Sequence, residues 1–293
     1  MYYIMKYNNN NNNNNGIFPF VKRIVAIGDI HGDFDTLTNI LKKANIINDK
    51  LEWIAGNTYL VQTGDILDSK NRGGRWKSNQ EKKVINYLIN LRDDAEKYRG
   101  KVILLLGNHE IMNILGIFNY ASNNDIKTYG NRKKRLQYFS PPNGYFIKNY
   151  ANKSYIICKI GDWVFSHAGV LPKISNIYDI NTLNNNLKLF LNNKLDINNR
   201  MKFINVMIGK YGILNYRGYG IDSPNCKIIS NSLKNLGAKS FVIGHTPQEK
   251  INSKCNKKLW RIDTGMSRSF GNNNFKKIQC LEIINNGQII KIL

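Results

Sequence analysis

The four histidines of the chain share one sequence context, because each follows a short apolar run within four residues. They are His31, His109, His167 and His245, in the segments IVAIGDIHGD, VILLLGNHE, WVFSHAG and SFVIGHT. A single histidine at such a place is most often a buried core or capping residue. Four of four at equivalent places indicate a common task, such as binding metal.

Carboxylate and amide side chains accompany the histidines after such runs. They are Asp29, Asp65, Asp68 and Asn108. The set offers oxygen and nitrogen donors and no cysteine, which favours Mn, Fe or Zn over a thiolate site and contains too much imidazole for Ca or Mg alone. About six ligands exceed what one ion needs, so the economical interpretation is two ions that share a bridging carboxylate. Such a centre implies hydrolysis of a phosphate ester by in-line displacement.

Alternating strand and helix patterns must position these residues. Apolar runs predict strands at 24–27, 58–62, 101–106, 155–160, 163–165, 240–243, 258–262, 277–283 and 288–293. Helical periodicity predicts a helix that begins with Asp35 as its N-cap and runs to Ala44, and another at 79–98. Since ligands of open α/β sheets collect outside the carboxyl ends of strands, the site is expected there. The order of elements predicts an α/β domain with a second, antiparallel-leaning sheet.

Two stretches depart from this pattern. Residues 1–20 contain the asparagine run Asn8–Asn15 and are predicted to form a disordered tail, because they cannot bury enough apolar surface. The folded domain is then expected to span residues 21–293. Residues 173–236 are rich in asparagine and have helical patterns, so they are predicted to form a helical cap or insertion beside the core.

The formal net charge of +23 raises the alternative of a nucleic-acid-binding protein. The dense basic cluster Arg132–Arg135 could contact phosphate backbones, but it has no interleaved aromatic residues for base stacking. The Asn- and Lys-rich composition is instead typical of an AT-rich genome, such as that of a protist or a large DNA virus. Nucleic acid is therefore not the expected partner.

The sequence predicts a soluble, intracellular protein, in the cytoplasm of its cell or, for a viral gene, of the host. No apolar run reaches the roughly 18 residues of a membrane helix, and the N-terminus has no secretory signal. The cysteines are Cys158, Cys226, Cys255 and Cys280. They are scattered and form no CxxC pair, which predicts free thiols in a reducing compartment and argues against a disulfide framework or a structural zinc site.

The motifs GDIHG, GD-x-x-D, GNHE, HAG and GHT, in this order, resemble the metallophosphoesterase (calcineurin-like) superfamily. GNHE and GD-x-x-D resemble its phosphoprotein phosphatase family, and HAGV, GHTPQ and DTGMS are most similar to the bacterial-like, Shewanella-like phosphatase branch. The resemblance covers residues 24 to about 267. It implies a four-layer αββα sandwich of mixed sheets as the catalytic domain, with the helical insertion between HAG and GHT beside the substrate cleft.

The resemblance also implies residue roles. It implies Asp29 and His31 as ligands of a first metal ion, Asn108, His167 and His245 as ligands of a second, and Asp65 as the bridge between them. A hydroxide between the ions would be the nucleophile, and His109 the general acid that protonates the leaving alkoxide, oriented by Asp68. A carboxylate beside an imidazole raises its pKa, which keeps that proton available. Glu110 of GNHE is expected to support structure, and Asp263 of DTGMS to be structural or to orient a histidine ligand.

Two arginines usually hold the phosphate in this family, through bidentate contacts that lysine cannot reproduce. Arg217, in LNYRGYG, matches the setting of the second arginine. The first should directly follow Asp68, but an apparent three-residue insertion separates the two here, and Arg72 is the preferred candidate. Arg75 and Lys70 are the alternatives, and all three could instead be exposed loop charges. The insertion leaves the substrate geometry open and does not affect the metal centre.

The predicted function is metal-dependent hydrolysis of phosphomonoesters, with phosphoproteins as the preferred substrates. Two divalent metal ions are the expected cofactors, of which Mn is favoured and Fe or Zn are alternatives. Within the enzyme class, the alternative is hydrolysis of a dinucleoside tetraphosphate, which related enzymes perform with similar motifs. The second alternative is a non-catalytic nucleic-acid-binding protein, but such a protein would be expected to have lost ligands, and none is missing from the motifs.

Overall fold

The structure is a computed structural model that describes residues 15–272 and 277–293. The strands are β1 (Ile17–Phe18), β2 (Arg23–Ile27), β3 (Tyr59–Gln62), β4 (Lys101–Leu104), β5 (Ile157–Ile160), β6 (Trp163–Ser166), β7 (Ser240–Ile243), β8 (Asn252–Lys254), β9 (Leu259–Arg261), β10 (Leu281–Ile284) and β11 (Ile289–Ile292). The helices are α1 (Phe34–Lys43), α2 (Glu81–Lys97), α3 (Asn108–Ile114), α4 (Asn123–Thr128), α5 (Arg132–Phe139), α6 (Tyr145–Asn149), α7 (Pro172–Ser175), α8 (Ile180–Leu191), α9 (Ile197–Ile208) and α10 (Cys226–Asn235).

The described strands form two mixed sheets. One has the order β1-β5-β6-β7-β9-β8 and the other the order β11-β10-β2-β3-β4. Each sheet contains three neighbouring parallel strands, β2, β3 and β4 in one sheet and β6, β7 and β9 in the other. The expectation of a second, antiparallel-leaning sheet is therefore wrong. The last two strands, β10 and β11, pair antiparallel with β2 and complete the first sheet.

Each sheet packs one face against the other sheet and the opposite face against helices. In β2, Ile24 and Ala26 lie in the core between the sheets, whereas Val25 and Ile27 lie in the core shared with the helices. The other buried strands alternate in the same way, as successive side chains of a strand must. Helix α2 packs on β4 of one sheet and α8 on β5 of the other. The predicted αββα order is thus observed.

Several local predictions are corrected. The N-cap of α1 is Asp33, whose carboxylate accepts the N–H of Thr36 at 3.1 Å, and Asp35 lies in the first helical turn. The strands β1 and β8 were not predicted, because β1 has two residues and β8, Asn-Ser-Lys, has no apolar residue. Since β1 pairs with β5, part of the expected tail belongs to the sheet. Residues 1–14, which hold most of the asparagine run, lie outside the described residues.

The region after β6 is helical, as predicted, and contains α7, α8, α9 and α10. A disulfide joins Cys226, at the start of α10, to Cys255, in the turn between β8 and β9. The prediction of four free thiols is therefore wrong for this pair, whereas Cys158 and Cys280 are free and buried. The bond also removes the argument from free thiols for a reducing compartment. None of the described helices is long and apolar enough to cross a membrane.

Candidate metal centre

The three parallel strands of each sheet end at one common edge, and polar residues follow every one of them. Asp29 and His31 follow β2, Asp65 and Asp68 follow β3, Asn108 and His109 follow β4, His167 follows β6, His245 follows β7, and Asp263 follows β9. All of these side chains are buried. The structure therefore brings together every metal ligand and the acid–base pair that the sequence predicted.

Asp65 lies at the centre of this cluster. Its Oδ2 is 3.2 Å from Nε2 of His167 and 3.8 Å from Nε2 of His109, and its Oδ1 accepts the backbone N–H of His109 at 3.0 Å. Two sets of potential ligand atoms meet there, one with His31 and His109 and the other with His167 and His245. This position fits a carboxylate that two adjacent metal sites share.

Backbone carbonyl groups determine which nitrogen carries the hydrogen in two of the imidazole rings. Nδ1 of His31 is 2.9 Å from the carbonyl oxygen of Leu67, and Nδ1 of His167 is 2.9 Å from that of Thr63. A carbonyl only accepts, so each Nδ1 carries the hydrogen and each Nε2 presents a lone pair. Nε2 of His31 lies 4.0 Å from a carboxylate oxygen of Asp29. Lone pairs and carboxylates face each other here, which is favourable only with a proton or a cation between them.

The second set of ligand atoms repeats this arrangement. Nε2 of His167 lies 3.0 Å from Oδ1 of Asn108 and 3.1 Å from Nδ1 of His245. With its amide turned over, Asn108 would donate to the His245 ring, whereas its oxygen is the atom that a metal would bind. Nε2 of His245 is buried and has no hydrogen-bond partner among the described residues. The donor set therefore fits a divalent cation.

The electrostatics of the cluster agree with this interpretation. Burial raises the pKa of the Asp29 carboxyl well above its ordinary value, and the nearby Asp263 and Asp65 raise it further. Burial also raises the pKa of Asp263 to about 6. Burial lowers the pKa of His31 and His245 well below the ordinary histidine value. The protein thus concentrates carboxyl groups and neutral imidazoles where positive charge would stabilise the site.

The backbone turns sharply at the strand ends to deliver these side chains. His31, Asp65 and His245 have φ angles of 47°, 54° and 68°, in the left-handed region that residues other than glycine rarely adopt. Such conformations cost about 1–3 kcal/mol each and are concentrated at functional sites. Glycines allow the strand ends to converge, because a Cβ at Gly107 would overlap Oδ1 of Asp65 and one at Gly244 would overlap Oδ1 of Asp29.

Glu110 connects the loops that follow β3 and β4. Its carboxylate accepts the backbone N–H groups of Asp65 at 2.8 Å, Ile66 at 2.9 Å and Gly107 at 2.7 Å. It does not belong to either set of ligand atoms. These contacts agree with the expected structural role of Glu110.

His109 and Asp68 form a buried pair beside the central carboxylate. Nδ1 of His109 lies 2.8 Å from Oδ2 of Asp68. Nε2 of the same ring contacts Nη2 of Arg72, whose guanidinium lies 5.6 Å from the ring centre of Tyr120 and 5.8 Å from that of Phe270. The geometry therefore favours Arg72 over the exposed Arg75 and Lys70 as the first phosphate-binding arginine.

Arg217 approaches the cluster from the other sheet. It lies between α9 and α10, and its Nη1 donates to the carbonyl oxygen of His245 at 3.2 Å. Arg72 and Arg217 thus approach the predicted metal ligands from two separate loops. The neighbouring Lys210, Tyr211 and Tyr216 line an open pocket of about 600 Å³ that includes Arg217.

Sequence reasoning missed the role of Arg135, which it considered only as part of the dense basic cluster Arg132–Arg135. Its side chain is fully buried, and Nη2 donates to Oδ1 of Asp68 at 2.8 Å. The signal that could have identified it is its spacing of four residues from the buried Phe139, which places both residues on one face of α5. Tyr120 and Phe270, which flank Arg72, were also not predicted.

Comparisons with known proteins bear on this site. The model of the calcineurin-like phosphoesterase family matches residues 22–249. Shewanella-like protein phosphatase 1 of Plasmodium berghei (strain Anka) is 32% identical over 259 residues, which cover 84% of this chain and 67% of that protein. Shewanella-like protein phosphatase 2 of Arabidopsis thaliana is 28% identical over 293 residues, which cover 84% of this chain and 72% of that protein.

A solved structure shares the fold. The crystal structure of a cold-active protein-tyrosine phosphatase from a psychrophilic Shewanella species superposes with a TM-score of 0.76 at 24% sequence identity. The superposition covers 95% of this chain and 82% of that chain. At this identity the likeness shows the fold, and it confirms the sandwich of two mixed sheets with helices outside them.

Proposed function

The chain belongs to the calcineurin-like phosphoesterase family and is a hydrolase of phosphate esters, and we propose that its substrates are phosphorylated proteins. The relatives named as protein phosphatases support the choice of substrate. The family and the candidate ligands together indicate divalent metal ions as cofactors. The number of two ions, the identity of the metal and the role of each residue are parts of the proposal.

The observation that carries the proposal is that Asp65 lies in two groups of potential ligand atoms, one with His31 and His109 and the other with His167 and His245. We set His109 apart as the acid because Asp68 binds its Nδ1, and we take Asp29, 4.0 Å from Nε2 of His31, as a ligand in its place. We assign Asp29 and His31 to one ion, Asn108, His167 and His245 to the other, and Asp65 to both. Two divalent cations bound there would acidify a water molecule and neutralise charge on the phosphate. Oxygen and imidazole ligands without thiolate support Mn as the resident metal, with Fe or Zn as alternatives.

The remaining residues act on the phosphate and on the leaving group. Asp68 binds Nδ1 of His109 and so directs Nε2 of that ring toward the space between the ligands and Arg72. At that place the ring can give a proton to the departing alkoxide, which is the work of a general acid. Arg72 and Arg217 supply forked N–H donors for the phosphate oxygens.

The helices α7–α10 follow β6 and precede β7 along the chain, and the loop between α9 and α10 carries Arg217. We propose that residues 173–236 form a cap on the catalytic domain and line its substrate cleft. The open pocket around Arg217, with Lys210 and the two tyrosines, supports this role because it adjoins a phosphate-binding arginine. An intracellular location rests on the sequence alone.

The experiment that tests the substrate class uses the chain reconstituted with Mn, Zn or Fe. Phosphopeptides that carry phosphoserine, phosphothreonine or phosphotyrosine are compared with diadenosine tetraphosphate as substrates. We expect release of inorganic phosphate from peptides at a kcat/KM well above that for the dinucleotide. A preference for the dinucleotide would contradict the protein phosphatase proposal. No hydrolysis of an aryl phosphate, together with RNA binding that depends steeply on salt, would favour a nucleic-acid-binding protein.

A further inference from the structure

Arg135 is a buried charge that no described function explains. It lies on α5 and has no exposed surface. The rings of Phe118, Tyr129 and Phe139 surround its guanidinium, with centres 5.5, 4.8 and 5.3 Å from Cζ. Burying an arginine costs several kcal/mol unless its charge and its hydrogen bonds are all compensated. The groups that compensate the charge and the hydrogen bonds of Arg135 therefore indicate its role.

Each of the five N–H donors of Arg135 has an acceptor. Nε donates to Asn113 Oδ1 at 2.8 Å, and Nη1 donates to Glu81 Oε2 at 2.6 Å and to the carbonyl oxygen of Asp125 at 3.0 Å. Nη2 donates to Asp68 Oδ1 at 2.8 Å and to Glu81 Oε1 at 3.2 Å. A planar fork of five donors fits this set, and a lysine, with three donors on one atom, does not.

Three of these acceptors lead directly to the pair of Asp68 and His109. Asp68 itself holds the histidine ring at Nδ1. Asn113 donates from Nδ2 to Asp68 Oδ2 at 2.8 Å and to the carbonyl oxygen of His109 at 2.9 Å. Glu81 accepts the backbone N–H of Asp68 at 2.8 Å. Arg135 thus binds the Asp68 carboxylate directly and also binds Asn113 and Glu81, which hold the carboxylate and the backbone of Asp68.

The fourth acceptor leads to the loop that carries Arg72. The carboxylate of Asp125 accepts the backbone N–H of Ser69 at 3.0 Å and the hydroxyl of Ser69 at 2.9 Å. Ser69 directly follows Asp68, which has a φ angle of 64° in the left-handed region. The conformation of this turn decides where Asp68 and the loop beyond it point. The turn is held by the carboxylates of Glu81 and Asp125, and Arg135 binds the carboxylate of Glu81 and the backbone carbonyl oxygen of Asp125.

We propose that Arg135 is a positioning residue, which fixes the Asp68 carboxylate and through it the direction of Nε2 of His109 toward the leaving group. This inference rests on the proposed function, in which His109 protonates the leaving alkoxide. It extends that site to a residue of α5, and this residue lies outside the family motifs that contain Asp68 and His109. The alternative is that Arg135 only stabilises the fold.

Leaving groups distinguish these two roles. The alkoxide of a phosphoserine peptide needs a proton as it departs, whereas 2,4-dinitrophenolate departs without one. A residue that positions the acid should therefore affect the peptide more than 2,4-dinitrophenyl phosphate. A residue that only stabilises the fold or the metals should affect both substrates alike. General acid catalysis contributes about 10²–10⁴-fold, which leaves room for a clear difference.

The test compares Arg135→Lys with wild type and with His109→Asn as the Mn-loaded full chain. We expect Arg135→Lys to lower kcat for the phosphoserine peptide about tenfold more than kcat for 2,4-dinitrophenyl phosphate, at unchanged metal content. His109→Asn should show the same selectivity to a greater extent. Arg132→Lys, one turn earlier on the same helix and exposed, is the matched control and should behave as wild type.

Equal losses on the two substrates, or no loss, for a folded Arg135→Lys would overturn the proposal. If that variant does not fold, Glu81→Gln takes its place, because it loosens Arg135 and leaves the Asp68 side chain intact. It should show the same selectivity to a smaller extent, and equal losses would again refute the role. Failure of the proposed function has a different signature, since wild type would then be inactive on both substrates or His109→Asn would show no selectivity.

Discussion

In the absence of metal, Asp29 and His167 of the candidate site bind a proton more tightly than the same groups do in water. Burial alone lowers the pKa of His167, but the Asp65 carboxylate and the Thr63 carbonyl raise it above its ordinary value. The pKa of Asp29 is raised by burial and by neighbouring carboxylates. Without metal, the cluster therefore retains protons on groups that would otherwise be ligands. A metal ion must displace them to bind.

This competition predicts a pH dependence for metal binding. Because the pKa of Asp29 and of His167 is raised, metal uptake releases protons, and the affinity for Mn should rise as pH increases from weakly acidic to slightly alkaline values. Isothermal titration calorimetry in buffers of different ionisation enthalpy measures the protons released for each ion bound. An affinity that is constant over this range, with no proton release, would contradict the ligand assignment.

Single substitutions also test which arginine is the first to bind the phosphate. Arg72→Lys keeps the charge and removes the fork, and hydrogen bonds to charged groups contribute about 1.5–3 kcal/mol. We therefore expect kcat/KM for a phosphopeptide to fall by roughly 10- to 100-fold. Arg75→Lys, in the same loop but exposed, is the control and should leave kcat/KM unchanged. The reverse order of effects would move the role to Arg75.

The sequence was sufficient to predict that these aspartates and histidines lie together, because all four histidines follow apolar strands whose ends meet at one edge. Their roles as ligands stay a prediction. The sequence was not sufficient for Arg135, because the segment Arg132–Arg135 reads the same whether the Arg135 side chain faces solvent or Asp68. Burial of that side chain depends on the packing of α5 against Phe118 and Tyr129, which lie elsewhere in the chain. The same limit applies to Tyr120, which contacts Arg72 only in the folded molecule.

At the scale of elements, the site depends on the parallel strands β2, β3 and β4 of one sheet and β6, β7 and β9 of the other. Their apolar runs were recognisable because both faces of each strand are buried. Pairing between strands was less predictable, and β10 and β11 joined the first sheet although they come last in sequence. Sequence order does not fix sheet order, since an antiparallel return can pair with a distant strand.

The disulfide links two elements that border the helical region. It closes a sequence separation of 29 residues between α10 and the β8–β9 turn, and the loop-entropy model assigns about 3.6 kcal/mol to such a cross-link. Cys226→Ser should therefore lower the free energy of unfolding by about this amount, measured by urea denaturation under oxidising conditions. Cys158→Ser serves as a contrast for a free, buried thiol. Equal stability of Cys226→Ser and wild type would contradict a stabilising role of the bond.

At the scale of the whole molecule, charge is divided between interior and surface. In the part of the chain that the structure describes, nine of the 20 acidic residues are buried, against three of 41 lysines and arginines, since Lys6 and Lys276 lie outside it. The surface is therefore even more basic than the net charge of +23 indicates. Such a surface attracts anionic partners, which include phosphoproteins as well as nucleic acid. The sequence alone does not show how basic the surface is, because it does not show which acidic residues are buried. It therefore could not distinguish phosphoproteins from nucleic acid as partners.

Metal content measured beside phosphatase activity tests most directly whether Asp65 bridges a two-ion centre. Wild type, Asp65→Asn and His109→Asn are loaded with Mn, freed of excess metal and assayed in the same samples. We predict two equivalents for wild type, loss of metal and activity in Asp65→Asn, and two equivalents with kcat reduced about 10²–10⁴-fold in His109→Asn. A single equivalent in wild type, full occupancy in Asp65→Asn, or metal loss in His109→Asn would contradict the account.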